Sequence, residues 1–168
     1  MPCSCQIPGP AYPENKEWGP FVWIVLHALA ERFGQVITEL YRNDEVRAWQ
    51  GLLAATGDML PCSDCRDHFK TWLAAHPVTP ISKLPYSELK QWIRNWIWAL
   101  HEDVNRRLAK PSFPFENITS TYKSVNIKYN FQLFELIEKR AIQQGGVGLL
   151  HWQNWVKQYK TITGVYGI

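Results

Sequence analysis

Two close pairs of cysteines are the residues of this 168-residue chain that are best suited to chemistry. Cys62 and Cys65 lie in the run Leu-Pro-Cys-Ser-Asp-Cys-Arg-Asp-His-Phe, Cys3 and Cys5 lie near the N-terminus, and the sequence has no other cysteine. Local pairs of this kind cannot tie distant segments together, so they make a poor disulfide scaffold. They indicate electron transfer or metal binding instead.

The spacing of Cys62 and Cys65 fits a redox-active dithiol. Cysteines three apart on a helix lie about one turn from each other, close enough to form and break a disulfide. The amides and macrodipole at a helix N-terminus favour the thiolate, the form that attacks a disulfide. Three basic residues that follow would strengthen this effect: Arg66, His68 and Lys70. Asp64 would oppose it by repulsion, so the sequence leaves the sign of the pKa shift open.

Zinc sites and thioredoxin-like proteins also use Cys-x-x-Cys. A thioredoxin-like site needs a βαβ framework, whereas the sequence on both sides of this pair has a helical pattern. For zinc, Cys3 and Cys5 could join Cys62 and Cys65, but Cys-x-Cys in a proline-rich tail is an awkward half-site. The context favours redox chemistry without a metal, and a non-enzymatic zinc-binding helical adaptor is the alternative.

Residues 1–14 form a proline-rich N-terminal arm that carries Cys3 and Cys5. A flexible, exposed arm could carry a dithiol between a substrate and the Cys62/Cys65 pair, which makes the arm cysteines a candidate shuttle. The alternative is a pair of inert surface thiols.

Apolar residues recur at helical spacing through nearly the whole chain, without convincing strand alternation. The pattern predicts helices from Trp18 to about Phe33, from Asn43 or Asp44 to near Gly57, from Pro61 to His76, from Glu88 to about Ala109, from Val125 to Gln144 and from Leu149 to about Thr161. We therefore predict an all-α bundle with a C-terminal helical extension.

Composition argues against several classes of partner. The formal charge is only +3, and the basic residues are interspersed with acidic ones, so nucleic acid is not implied. The longest apolar stretch, Phe21 to Ala30, is interrupted by His27 and is shorter than the roughly 20 residues of a membrane span. The N-terminus lacks the pattern of a secretory signal. We expect an intracellular, cytoplasmic protein without a membrane span.

Two further motifs flank the dithiol: Trp18-Gly19-Pro20-x-x-Trp23-x-x-x-His27, and His101-x-x-Val104-Asn105-x-x-Leu108-x-Lys110-Pro111-x-Phe113. In this order around a Cys-x-x-Cys they resemble the Erv/ALR family of FAD-linked sulfhydryl oxidases. The resemblance covers about residues 15–122. It implies a bundle of four helices plus a short fifth helix, non-covalently held FAD and, commonly, a homodimer.

The resemblance also implies an activity and roles for single residues. Protein dithiols would become disulfides, and their electrons would pass through Cys62 and Cys65 to FAD and then to O2, giving H2O2. Cys65 would lie beside the flavin, and Cys62 would meet the shuttle. The residues implied to bind FAD are Trp18, Trp23, His27, Phe69, His101, Val104, Asn105, Leu108, Lys110, Phe113 and Tyr122.

The chain departs from the family pattern at several points. Glu102 stands where the family often has asparagine, and Phe33 stands where it often has tyrosine. Many members carry a further disulfide late in the domain, whereas this chain has no cysteine after Cys65. That difference fits a cytosolic or viral member, located in the host cytoplasm or the virion if viral.

Residues 123–168 lie beyond the resemblance and could pack back onto the bundle, widen a dimer interface or present a partner site.

Overall fold

The computed structural model describes residues 9–35 and 39–168. Cys3 and Cys5, and with them the candidate shuttle, lie outside the described residues. The helices are α1 (Asn15–Ala30), α2 (Arg42–Met59), α3 (Ser63–Ala75), α4 (Tyr86–Arg107), α5 (Ile118–Tyr122), α6 (Ile127–Gln143) and α7 (Leu149–Tyr166). Short 3-10 turns occupy Glu39–Tyr41, Thr79–Ser82 and Phe115–Asn117. The described part of the chain contains no strand, so the predicted all-α class is confirmed.

Several helix ends differ from the prediction. Helix α1 begins before Trp18 because the Glu17 carboxylate accepts from the backbone N–H of Glu14 at 2.7 Å, which completes a capping box. It ends at Ala30 rather than near Phe33, and a turn then leads to Gly34. Helix α3 begins slightly after the predicted start at Pro61, since Cys62 is the N-cap and Ser63 the first helical residue.

Helices α1 to α5 form the bundle that carries the motifs. Helix α4 packs on α1, α3 packs on α2, and the short α5 packs on α1. The buried face of α4 consists of large apolar side chains together with one amide: Leu89, Ile93, Trp96, Ile97, Leu100 and Asn105. Burial of these side chains is the main force that holds the helices together.

The C-terminal extension packs back onto the bundle, the first of the three predicted possibilities. Helix α6 covers α1, and α7 covers α2. Helix α7 continues past the predicted end to Tyr166, whose hydroxyl donates to Glu45 Oε1 at 2.8 Å. The fully buried Trp155 donates its indole N–H to Thr56 Oγ1 at 2.9 Å. Hydrogen bonds from aromatic side chains of α7 thus join the extension to α2.

Within the described residues, no helix combines the length and the apolar character needed to cross a bilayer.

Candidate functional site

The predicted catalytic cysteines form a disulfide at the start of α3. The Cα atoms of Cys62 and Cys65 lie 5.1 Å apart, as the three-residue spacing on a helix requires. Cys62 caps the helix, and its sulfur accepts from the backbone N–H of Cys65 at 3.2 Å. The side-chain amide of Asn15, at the first turn of α1, lies 3.6 Å from the Cys65 sulfur. Each sulfur therefore has a polar N–H donor nearby.

The three basic residues after the cysteines all have partners. His68 Nε2 lies 2.8 Å from the Asp103 carboxylate on α4, and Lys70 Nζ lies 2.8 Å from the Asp58 carboxylate on α2. The Arg66 guanidinium donates to backbone carbonyls. His68 and Lys70 therefore face carboxylates, and the donor that directly contacts the sulfur of the N-cap cysteine is the amide at the helix N-terminus.

Residues of the two flanking motifs meet in a cluster of rings between α1, α4 and α5. The rings of Trp23 and His101 stack with their centroids 4.0 Å apart, and those of His27 and Tyr122 stack at 4.5 Å. The ring of Phe113 lies 6.0 Å from that of Tyr122 at a tilt. We call these five side chains the ring cluster. It brings together residues that are up to 99 positions apart in the sequence.

The two histidines of the ring cluster are hydrogen-bonded to each other and uncharged at neutral pH. His27 Nε2 and His101 Nδ1 lie 3.1 Å apart. Burial lowers the pKa of His27 to about 3, with the positive charges of His101 and Arg94 adding to the effect. Burial also lowers the pKa of His101 to about 4, where Glu102 opposes the shift and Lys110 adds to it.

A neutral pair can share only one proton across this contact, so one ring donates and the other accepts. The second nitrogen of His27, Nδ1, is buried and finds no hydrogen-bond partner among residues 9–35 and 39–168. Buried polar atoms are almost always paired in folded proteins. A ligand that hydrogen-bonds to this nitrogen would satisfy it.

Glu102, where the family often has asparagine, organises the loop after α4. Its carboxylate accepts from the Asn105 side chain at 3.0 Å and from the backbone N–H of Phe113 at 2.8 Å, as well as from the Ser112 hydroxyl. Burial works against ionisation, but these hydrogen bonds hold the pKa of Glu102 below its usual value. The loop backbone is also closed by Lys110 N–H donating to Asn105 O at 2.8 Å. Lys110 is thereby kept close enough to His101 to influence its pKa.

The remaining predicted ligand residues occupy different environments. Trp18 and Phe69 belong to the buried core, and the ring of Phe69 packs edge-on against Trp96 at 6.3 Å. Val104 is half-buried against the core, whereas Leu108 at the end of α4 is 55% exposed. The structure therefore brings Trp23, His27, His101, Phe113 and Tyr122 together and leaves these four outside the ring cluster.

Sequence reasoning missed three side chains near the cysteines. Asn15 approaches Cys65, Asp103 holds His68, and the Tyr12 hydroxyl donates to the carbonyl of Pro61. Asn15 and Tyr12 precede the predicted start of the first helix at Trp18, and Asp103 stands at an unspecified position of the second motif. None of the three positions carried a usable signal in the sequence.

The described residues, 9–35 and 39–168, contain no group of three or more His, Cys, Asp or Glu side chains placed to hold a metal. Two shallow pockets of about 540 and 350 Å³ lie along α7, the second of them also against α6. Neither pocket includes a predicted site residue. The ring cluster has features that would suit a planar ligand with an anionic tail: stacked rings, the unsatisfied His27 nitrogen and Lys110, whose charge reaches His101.

Comparison with known proteins adds independent evidence. The model of the Erv1/Alr family matches residues 20–123. The chain is 32% identical over 108 residues to the FAD-linked sulfhydryl oxidase ERV1 of rice, covering 64% of this chain and 50% of that protein. It is 30% identical over 104 residues to the mitochondrial FAD-linked sulfhydryl oxidase erv1 of Schizosaccharomyces pombe, covering 62% and 52%.

A viral relative is matched over more of its length. The FAD-linked sulfhydryl oxidase of African swine fever virus, isolate Pig/Kenya/KEN-50/1950, is 31% identical over 111 residues, which cover 66% of this chain and 84% of that protein. The chain spans only about half the length of the plant and yeast relatives. No solved structure matches it. Since the family model covers more than half of its residues, the chain belongs to the Erv1/Alr family.

Proposed function

We propose that this chain is an FAD-dependent thiol oxidase that converts dithiols of protein substrates to disulfides, with O2 as the electron acceptor and H2O2 as the second product. The observation that carries the proposal is the Cys62–Cys65 disulfide at a helix N-terminus in a chain whose relatives are named FAD-linked sulfhydryl oxidases. A disulfide between cysteines three apart adds little stability, since it closes a very short loop. Its role is therefore chemical.

The first steps use only this chain's own residues. A substrate thiolate attacks the Cys62 sulfur, the bond to Cys65 breaks, and Cys65 leaves as a thiolate with Asn15 Nδ2 3.6 Å away to donate to it. A second substrate thiolate then attacks the substrate sulfur of the mixed disulfide. Cys62 leaves as a thiolate, and the N–H of Cys65 is placed to stabilise it. The substrate has lost two electrons and two protons.

The ring cluster fits FAD. Trp23 and Tyr122 offer aromatic surface, neutral His27 and His101 offer hydrogen bonds, and Lys110 offers a charge for the diphosphate. Bound FAD would supply the two-electron acceptor that restores the disulfide and lets O2 be reduced. The hydrogen bond between His68 on α3 and Asp103 on α4 ties the cysteine helix to the helix that carries His101. The dithiol and the ring cluster are thereby linked.

Three finer features belong to the proposal as well. Cys3 and Cys5 act as the shuttle that meets Cys62, the protein assembles as a homodimer, and it works in the cytoplasm. The family resemblance supports the first two, and the sequence composition supports the third. The relatives include mitochondrial and viral proteins. Light scattering on the purified protein would measure the mass of the assembly.

A visible absorption spectrum tests the cofactor. The purified protein is expected to be yellow, to release flavin on denaturation and to produce peroxide from a small dithiol. Colourless protein without releasable flavin would contradict the proposal.

Serine substitutions test the roles of the cysteines. Cys65→Ser is expected to abolish turnover with every thiol substrate, because no disulfide remains to accept electrons. Joint replacement of Cys3 and Cys5 is expected to slow a protein substrate more than a small dithiol, which reaches Cys62 directly. Equal slowing of both substrates would remove the shuttle from the proposal.

A further inference from the structure

The backbone that leads into Cys62 is held by two side chains. The Tyr12 hydroxyl donates to the carbonyl of Pro61 at 2.5 Å, and Arg66 Nη1 donates to the carbonyl of Leu60 at 2.5 Å. These carbonyls belong to the two residues immediately before Cys62. Because Cys62 is the extended N-cap of α3, the orientation of this segment sets the direction of its side chain.

Both side chains are placed by the loop between α6 and α7. Arg66 Nη1 also donates to the carbonyl of Gly146 at 3.2 Å. The Tyr12 ring lies so close to Gly146 that a Cβ there would stand 2.1 Å from the tyrosine hydroxyl oxygen, so only glycine leaves room for the ring. Gln144 Nε2 donates to the carbonyl of Pro10 at 2.6 Å, which fixes the chain just before Tyr12.

We propose that Tyr12 and Arg66 are positioning residues for thiol–disulfide exchange at Cys62, and that the α6–α7 loop holds them in place. We call Tyr12, Arg66 and Gly146 the clamp. Tyr12 and the α6–α7 loop lie outside residues 20–123, which the family model matches. Tyr12 and Gly146 are therefore additions that this chain's N-terminal segment and C-terminal extension make to the shared dithiol site, whereas Arg66 lies within the matched range. The inference rests on the proposed function in taking Cys62 as the cysteine that meets substrate.

We expect the clamp to shift the equilibrium between the Cys62–Cys65 disulfide and the two free thiols toward the disulfide. In the exchange, two thiols RSH and the Cys62–Cys65 disulfide give RSSR and two cysteine thiols, so two electrons and two protons enter the protein. The clamp holds the Cys62 sulfur within reach of both the Cys65 sulfur and the Cys65 amide. Freeing the segment lowers the effective concentration of the two thiols for each other, which makes the disulfide easier to reduce.

Equilibration with glutathione buffers of graded potential measures this balance directly. The reaction is quenched with acid, free thiols are alkylated, and the peptide that carries Cys62 and Cys65 is weighed by mass spectrometry. For Tyr12→Phe, which removes only the hydroxyl, we expect the equilibrium constant for reduction to rise about threefold to tenfold, as the loss of one hydrogen bond allows. Tyr129→Phe, at a tyrosine 57% exposed on α6, is the matched control and should leave the constant unchanged.

Substitution of Gly146 tests the contact between Gly146 and the Tyr12 ring. Gly146→Ala should displace the ring of Tyr12, which is partly exposed and can move, and should raise the constant as Tyr12→Phe does. In a Tyr12→Ala background, Gly146→Ala should add nothing further. The control is Gly164→Ala, where a Cβ would meet no atom within 4 Å.

The outcomes separate positioning from a structural role. If Tyr12→Phe and Gly146→Ala lower the melting temperature but leave the equilibrium constant at its wild-type value, the proposal is overturned. The measurement needs neither FAD nor O2. Colourless protein with an intact clamp effect would contradict the proposed function alone, whereas yellow, active protein with an unchanged constant would contradict the clamp alone.

Discussion

His27 and His101 can share a hydrogen bond because both rings are neutral. With a folded pKa of about 3, His27 stays unprotonated at pH values where a histidine of the unfolded chain, with a pKa near 6.5, binds a proton. Between these values the unfolded state holds more protons, so acid favours unfolding. We expect the free energy of unfolding to fall as pH drops from 6.5 toward 3, by up to about 1.4 kcal/mol per pH unit for this histidine.

Urea unfolding followed by circular dichroism at pH 7, 6, 5 and 4 measures this loss. His27→Gln should flatten the profile relative to wild type, because glutamine does not titrate. The exposed His151 on α7 provides the control, and His151→Gln should leave the slope unchanged. A His27→Gln profile parallel to that of the wild type throughout would contradict the assignment.

Glu138 on α6 should give the free energy of unfolding the opposite pH dependence, at higher pH. Its side chain is fully buried, and neither carboxylate oxygen finds a hydrogen-bond partner in the described part of the chain. Burial raises its pKa to about 8, although the charge of Arg66 opposes the shift. Between pH 4.5 and 8 the folded state holds the extra proton, so stability should fall as pH rises through this window, by up to about 1.4 kcal/mol per pH unit.

The comparison of Glu138→Gln with Glu135→Gln tests this sign. Glutamine has nearly the same shape and no charge, so Glu138→Gln should remove the loss of stability between pH 5 and 8. Glu135 lies on the same helix and pairs with Lys139 at 3.4 Å. Its replacement should leave the slope intact. If the free energy of unfolding depends on pH equally in wild type and in Glu138→Gln, then ionisation of the Glu138 carboxyl does not destabilise the fold, and the prediction is wrong.

The site residues that could be predicted from the sequence are those at helical spacing within one helix. Trp23 and His27 lie four apart on α1, so a motif could predict that they share a face. Tyr12 and Asp103 contact Pro61 and a histidine of α3 across 49 and 35 residues of chain. Contacts over such separations depend on how the helices pack, and no local pattern encodes them.

At the scale of the elements, Gly34 fixes the end of the turn after α1. Its φ is +69°, and an added Cβ would lie 2.9 Å from the backbone carbonyl oxygen of Tyr86. Gly34→Ala should therefore destabilise the fold by roughly 1–2 kcal/mol from backbone strain alone and by more from the contact, since a backbone carbonyl cannot easily move.

Gly167→Ala separates the two causes. Gly167 has a nearly equal φ of +68°, but a Cβ there would meet nothing within 4 Å. We expect a clearly larger drop in urea midpoint for Gly34→Ala than for Gly167→Ala. Similar drops in urea midpoint would mean that the backbone at Tyr86 moves to make room for the added Cβ.

The number and order of the long helices could be predicted from apolar periodicity, but several ends could not. Asn126 is a preferred cap, and its side chain accepts from Tyr129 N–H at 2.9 Å, so α6 starts near the predicted position. Glu14 is a poor cap by type, and only its pairing with Glu17 explains why α1 starts early. The last turn of α7 depends on Tyr166 reaching Glu45, an interaction 121 residues distant in sequence.

At the scale of the whole molecule, the extension and the bundle share one core. The rings of Phe131, Trp152 and Tyr159 stack around Trp155, and Trp155 also bonds to α2 through Thr56. Glu45 on α2 accepts hydrogen bonds from Tyr86, from Tyr166 and from the backbone of Gly34. One carboxylate thus joins the turn after α1 to α2, α4 and α7. Such shared contacts predict a single cooperative unfolding unit.

Truncation of Trp155 tests that cooperativity. Trp155→Ala should cost about 3–5 kcal/mol, because a fully buried indole is lost and the Thr56 hydroxyl loses its donor. If the chain unfolds as one unit, amide exchange should accelerate in α2 and α3 as well as in α7. Leu150→Ala, at a side chain 79% exposed on α7, should change neither stability nor exchange. Faster exchange confined to α6 and α7 would instead mean that the extension unfolds separately and that the clamp on Cys62 opens without loss of the bundle.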